Sequence, residues 1–184
     1  MKTTILLLLT AFTLSAQDKD NYLGFTTGID VANIAQGDYN GIFKFTMVAS
    51  NVEVNLGYET YPELDFKRYS FGLGYHFPLY AYVGGKELKT TFTPSLEPSL
   101  IDRSGTWGVA FVDENKSSHL SLALNLEFEW NVTDNISVGY NLNFLPSTDL
   151  KAKFERELWS EKLVIADTPV RVSGFVSVKY KLNR

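Results

Sequence analysis

The sequence predicts an all-β chain: a single antiparallel up-and-down transmembrane β-barrel of eight strands, preceded by an export signal. Three observations predict it. Apolar and polar residues alternate with a period of two over eight segments, mostly about 9–13 residues long, which covers the length a tilted strand needs to cross hydrocarbon. The connections between these segments alternate between short and long. Mean hydropathy is −0.08, and no later apolar run reaches the roughly 18 residues of a membrane helix. That excludes a helical membrane protein but not a barrel, whose two opposed faces average to a soluble-looking value.

The N-terminus reads MKTTILLLLTAFTLSAQ. Lys2 supplies the positive charge, Ile5 to Leu14 a short apolar stretch, and Ser15 and Ala16 the small residues before the polar Gln17; this is a secretory signal pattern. Residues 1–16 are read as the signal and 17–184 as the barrel domain, with cleavage after Ser15 or Ala16. Losing Lys2 leaves 16 of the 17 basic residues against 21 acidic ones, a net charge of −5.

The strands follow in order. Residues 22–33 set Leu23, Phe25, Ile29 and Val31 opposite Gly24, Thr26, Gly28 and Asp30. Residues 40–49 alternate less cleanly. Residues 52–60 set Val52, Val54, Leu56 and Tyr58 opposite Glu53, Asn55, Gly57 and Glu59. Residues 67–78 set Tyr69, Phe71, Leu73, Tyr75 and Phe77 opposite Arg68, Ser70, Gly72, Gly74 and His76. Residues 88–101 carry Pro94 and Pro98, which cannot donate to a ladder. Residues 119–131 give the cleanest pattern, six apolar residues from Leu120 to Trp130 on one face and Glu127 and Glu129 among the polar ones on the other. Residues 136–145 and 170–182 repeat it. The odd-numbered connections run about 6, 6, 16 and 24 residues and the even-numbered ones about 2, 9 and 3, the parity of long external loops and short periplasmic turns. Ser50-Asn51 and Val132-Thr133-Asp134 are then inner turns, with both termini on their side. Segments 106–112 and 148–163 allow two further strands, making ten, or for 148–163 a short helix with Leu150, Phe154 and Leu158 on one face.

Alternation alone does not say which face points inward. Glycines on the polar face (Gly24, Gly28, Gly57, Gly72, Gly74, Gly139) suit a narrow lumen, where small residues sit beside long ones. The polar face also carries Asp30, Glu53, Glu59, Glu97, Glu127 and Glu129 against Lys44, Arg68, Lys89, Arg171, Lys179 and Lys181. Enclosed charges must be paired, since an unpaired one costs several kcal/mol. The predicted lumen network is therefore built on Asp30, Glu53, Arg68, Glu97, Glu127, Glu129, Arg171 and Lys179. Aromatic residues near strand ends, such as Tyr22, Phe77, Trp130 and Tyr180, fit the girdles that rings form at the two interfaces.

Composition narrows function. With no cysteine there is no disulfide framework, thiolate nucleophile or lipidated cysteine anchor. A pI near 5.2 argues against a nucleic-acid partner. No phosphate loop, dinucleotide fingerprint or metal-ligand pattern appears, so no cofactor and no metal is expected.

The signal ending in SAQ, the strand SFGLGYHFPL at 70–79, PSLEPSLIDR at 94–103 and the closing strand VRVSGFVSVKYKL at 170–182 together resemble the small outer-membrane β-barrel proteins of Bacteroidota, which share the architecture of OmpA/OmpX-type barrels. The resemblance implies an integral protein of the Gram-negative outer membrane, in contact with its lipid, inserted by the barrel-assembly machinery, and with no single activity attached. The chain departs from the family's aromatic terminus by ending on Asn183-Arg184.

The expected function is accordingly a structural or interaction role, not enzymatic, with a lumen filled by side chains and no wide pore. External loops bearing Trp107, Phe111 and Trp159 form the expected partner surface, possible contacts including a larger envelope complex. One alternative is a lipid A-modifying hydrolase in which His119, near Ser118, Ser121, Asp113 and Glu114, activates a serine. A second is a soluble lipocalin-like binding barrel, which requires Leu122 and Leu124 inside and Glu127 outside.

Overall fold

In a computed structural model the described residues are 21–35, 37–62, 66–83, 86–103, 117–146, 164–165 and 168–183. They form β1 (Tyr22–Asp30), a short α1 (Val31–Ile34), β2 (Gly41–Ala49), β3 (Val52–Tyr61), β4 (Phe66–Tyr75), β5 (Phe77–Val83), β6 (Lys86–Arg103), β7 (Ser117–Asn131), β8 (Ile136–Pro146), β9 (Val164–Ile165) and β10 (Thr168–Asn183). Eight strands close a ring in the order β1-β2-β3-β4-β6-β7-β8-β10, and antiparallel pairing of β1 with β10 seals it. β5 pairs with β6 and β9 with β10 outside that ring. The predicted eight-stranded barrel is the observed fold.

Register fixes the barrel's width. From Tyr22 the paired residues run through Val48, Glu53, Gly74, Ser95, Asn125 and Asn143 to Ser173. Tyr22 also meets β10 directly, at Asn183. The two positions on β10 differ by ten residues, which is the stagger of the ring. Eight strands with that stagger tilt about 40° and enclose a cylinder of backbone radius about 8 Å, a width that side chains fill.

Local chemistry explains the turns. Ser50 and Asn51 both adopt positive φ, 50° and 66°, as a two-residue hairpin whose twist matches its strands requires. The Val132 turn is held by Thr133, whose hydroxyl accepts from the Ile136 amide at 3.0 Å. β1 stops at Asp30, three residues short of the expected end. The Asp30 carboxylate accepts from the amides of Ala32 (3.0 Å) and Asn33 (3.3 Å), capping α1 and drawing the backbone out of the ladder. Between Ser70↔Ser99 and Leu73↔Leu96 the β4–β6 ladder has no paired residues; Pro98, which lacks an N–H, lies in that gap.

One expected connection is instead a hairpin. The stretch after Phe77 runs on as β5 and returns as β6, with Val83 opposite Lys86. Only Gly84 and Gly85 remain to connect them, a pair favoured in two-residue hairpin turns. Lys89, expected on the lumen face, is exposed in this ribbon beyond the end of β7. The signal segment 1–16, segment 106–112 and segment 148–163 lie outside the described residues, so the extra strands observed, β5 and β9, are not the two anticipated.

Burial is inverted relative to a water-soluble protein. Lys44, Glu53, Glu59, Arg68, Glu97, Glu127 and Lys179 are at most 2% exposed, whereas Leu56, Phe71, Leu73, Leu96 and Leu120 are more than half exposed. Leu122 and Leu124 face out and Glu127 in, opposite to what the lipocalin-like alternative requires. Some apolar residues do point inward. Ile42 and Val48 on β2 and Phe175 on β10 are buried, which is why 40–49 alternates poorly. The polar-face glycines make room for neighbouring strands: a Cβ on Gly139 would stand 2.8 Å from the Phe128 carbonyl oxygen, a backbone atom that cannot swing aside. Gly139→Val is expected to cost about 1–3 kcal/mol by overpacking, read as a lowered urea midpoint in detergent micelles; an unchanged midpoint would show that the wall can yield there.

Candidate functional site

The alternation of each strand turns about every second residue toward the lumen, charged and amide side chains among them, and the stagger decides which of them meet. Two clusters result. Toward the rim bearing α1, the chain of contacts runs Arg171–Glu59–Arg68–Glu97–Lys44. Arg171 Nη1 lies 2.7 Å from Glu59 Oε1, Arg68 Nε 3.1 Å from Glu59 Oε2, Arg68 Nη2 3.0 Å from Glu97 Oε2, and Lys44 Nζ 2.8 Å from Glu97 Oε1. Lys44 also donates to Asn125 Oδ1 at 3.1 Å. Six strands are tied together by these bonds.

Toward the turn-side rim, Lys179 is the hub. Its Nζ stands 2.8 Å from Glu127, 2.6 Å from Glu129 and 4.0 Å from Glu53. Lys181 pairs with Glu129 and donates to Asn131 Oδ1 at 2.6 Å. His76 Nε2 is 2.8 Å from Glu53 Oε2, and Asn55 donates to Glu53 Oε1 at 2.9 Å. With His76 neutral, the first cluster holds three bases and two acids and the second two bases and three acids. Each carries one unit of excess, of opposite sign, and together they cancel.

Both ends are covered by apolar or aromatic groups. Tyr61, Phe66, Ile101, Ala123 and Leu145 pack as a buried apolar cluster, and the Arg171 guanidinium stacks 4.5 Å above the Phe66 ring, a cation–π contact that strengthens when desolvated. At the other end the Tyr22 ring lies 4.9 Å from Lys181 Nζ and 6.1 Å from the His76 ring. Burying these ions is costly, and good geometry with extra hydrogen bonds only offsets that cost. The arrangement ties strands to one another across the lumen.

The predicted lumen residues Glu53, Arg68, Glu97, Glu127, Glu129, Arg171 and Lys179 are brought together in these clusters. Asp30 is not among them: it caps α1, and Asn33 Nδ2 donates to its other carboxylate oxygen at 3.1 Å. The amide partners Asn55, Asn125 and Asn131 were not singled out from sequence; their inward positions in the alternation were the available signal. His119 lies in β7 opposite Ile101, while Asp113 and Glu114 fall outside the described residues. The Ser121 hydroxyl donates to the Pro146 carbonyl at 3.1 Å. Trp107, Phe111 and Trp159 also fall outside the described residues. Among the described residues no group of three or more His, Cys, Asp or Glu is arranged to hold a metal ion.

No protein-family model and no curated protein matches the chain. Solved structures do. The chain superposes on Neisserial surface protein A with a TM-score of 0.51 and 14% identity, covering 91% of this chain and 98% of that one. It superposes on the N-terminal β-barrel domain of Pseudomonas aeruginosa OprF with a TM-score of 0.52 and 12% identity, covering 89% and 98%. At such identities the likeness is one of fold: this chain has the closed eight-stranded antiparallel fold of those barrels.

Proposed function

We propose that this protein is an integral barrel of the outer membrane with a structural or interaction role, and neither an enzyme nor a wide pore. The observation that carries the reading is the inverted burial, apolar side chains around the whole outer wall and paired charges inside. In water such a wall would be an aggregation surface many times larger than the few hundred Å² a soluble monomer exposes; in a bilayer it is the solvated face. Ion pairs that cross the lumen at two levels support a filled interior with no route for bulk solute.

On this reading residues 1–16 are removed during export, the assembly machinery inserts the barrel, and the turns Ser50-Asn51 and Val132-Thr133-Asp134 face the periplasm. The loops bearing Trp107, Phe111 and Trp159 face outward and offer the surface for an envelope partner. A Bacteroidota source accords with the resemblance of the strand sequences.

Fractionation tests the location. The chain is expected in the outer-membrane pellet, migrating faster on unboiled than on boiled gels because the closed barrel resists detergent. Purified barrel in planar bilayers is expected to show no steady conductance. Recovery in the soluble periplasmic fraction would defeat the membrane assignment, and a stable open channel would defeat the filled-lumen assignment.

A further inference from the structure

The apolar outer wall is level at its turn-side edge and notched at the edge toward α1. At the barrel's tilt, one residue along a strand climbs about 2.5 Å, and one step to the paired residue on the next strand about 3 Å. Followed along the register from Tyr22, the outward side chains at the turn-side edge, Leu23, Val52, Phe92, Trp130, Ile136 and Leu182, all lie within about 5 Å of one plane. The opposite edge differs. The highest exposed or half-exposed apolar residues stand about 22–28 Å above that plane on β4, β6, β7, β8 and β10 (Tyr69, Leu100, Leu120, Pro146, Val172), but only about 16–19 Å above it on β1, β2 and β3 (Ile29, Phe43, Tyr58). Tilting the whole barrel would not level this edge without unlevelling the other.

The β1–β2 connection stands over the notch and is apolar on its exposed side. Val31 is 49%, Ile34 43% and Tyr39 47% exposed. α1 continues directly from β1 and packs beside β1 and β10. Tyr39 precedes β2 on the same parity as Phe43, and its hydroxyl occupies the space that a Cβ on Gly41 would take, so the ring lies along the outer face of β2. Residues 31–37 carry no charge. The two acids that flank them are turned to the barrel: Asp30 caps α1, and Asp38 accepts from the Tyr61 hydroxyl at 2.8 Å. The connection also satisfies backbone groups internally, with the amides of Ala35, Gly37 and Asp38 donating to the carbonyls of Val31 (3.1 Å), Ile34 (3.0 Å) and Asn33 (3.0 Å). Backbone so paired can sit where water is scarce.

We infer that α1 and Tyr39 lie against outer-leaflet lipid and complete the apolar band over β1 and β2. The inference rests on the outer-membrane reading, which makes the wall lipid-facing and this rim external. Two observations select lipid as the occupant. Val31 and Tyr39 stand directly beyond Ile29 and Phe43 on the same face, so whatever covers the wall continues over them. The notch itself is the second: a sector several ångströms shorter than its neighbours would thin the bilayer or leave acyl chains against water, at a cost that rises with the mismatch. A short element lying in the plane of the interface, apolar side toward the acyl chains, removes that mismatch. The β1–β2 connection then differs from the other external connections: it rests on the membrane and does not stand out into the medium to meet a partner.

The test uses the whole chain as isolated from membranes and reconstituted into phosphatidylcholine vesicles. The chain has no cysteine, so Ile34→Cys, and separately Phe71→Cys on the wall and Asp134→Cys in a turn, each take one fluorescent label. Quenching by phosphatidylcholine carrying a nitroxide near the headgroup is compared with quenching by aqueous iodide. The label at Ile34 is expected to be quenched roughly threefold more by the nitroxide than by iodide, the label at Phe71 by nitroxide alone and the label at Asp134 by iodide. Adding Val31→Asp is expected to turn the Ile34 label toward iodide while the unboiled gel shift is retained. Should Ile34→Cys lose the gel shift, Tyr39→Cys carries the label instead. A label at Ile34 reached only by iodide, shielded from both quenchers as under a second copy of this chain, or unmoved by the added charge in a folded variant would overturn the inference. Failure of the nitroxide to quench the Phe71 label would instead overturn the membrane reading beneath it.

Discussion

Lys179→Met is expected to destabilise the barrel by about 3–5 kcal/mol, the cost of leaving a buried charge without its partner. Methionine nearly fills the lysine's volume, so little of the loss comes from a cavity. Lys179 pairs with Glu127 and Glu129 and approaches Glu53. Glu129 keeps Lys181 and Glu53 keeps its hydrogen bonds from His76 and Asn55, but Glu127 loses its ion pair. Adding Glu127→Gln should therefore recover most of the loss, because a neutral amide needs no counter-ion. Arg68→Met should cost less, since Glu59 keeps Arg171 and Glu97 keeps Lys44. Equilibrium urea unfolding into and out of lipid vesicles, scored by the unboiled gel shift, measures all three. A single variant within 1 kcal/mol of the parent, or a double variant no better than the single, would show that the ion pairs contribute little.

The second large effect lies on the outer wall. Leu56 stands near the middle of β3 (Val52–Tyr61) and is 56% exposed. If the wall faces lipid, Leu56→Arg places a cation near the bilayer midplane and is expected to cost about 2–4 kcal/mol, whereas Leu182→Arg, near the turn-side rim, should cost about 0–1 kcal/mol. For a barrel surrounded by water both changes would be close to neutral. The depth dependence separates the cases better than either value alone, and equal costs at both positions would remove the membrane placement of this wall.

Much of the fold was legible because its signal is local. Period-two alternation over 119–131 needs no knowledge of neighbouring strands to be read, and the short turns carry their own chemistry in Asn51 and Thr133. Where the reading failed, a competing interaction was responsible. Asp30 sits at an inward position of β1, yet its carboxylate found the amides of α1 closer than any base across the lumen. Lys89 obeys the alternation but belongs to a ribbon that leaves the ring. The β5–β6 hairpin falls in a stretch expected to be a plain connection, although Gly84-Gly85 is a hairpin signal in the sequence. The lumen charges were legible as a set because each occupies an alternate position. Their partners were not, because Arg171 meets Glu59 across 112 residues of sequence and only the ten-residue stagger of the ring decides that meeting.

The same stagger bears on assembly. Three of the five lumen bases in the two clusters, Arg171, Lys179 and Lys181, stand on β10, the last strand of the chain. Until β10 docks between β8 and β1, the lumen side of the preceding strands presents Glu53, Glu59, Glu97, Glu127 and Glu129 against Lys44 and Arg68. On the membrane reading proposed above, an unfinished barrel is an acid-rich trough whose release into lipid its uncompensated charge would oppose. Completion of the wall and neutralisation of its interior are therefore one event: the strand that closes the ring also brings most of the bases that balance these acids.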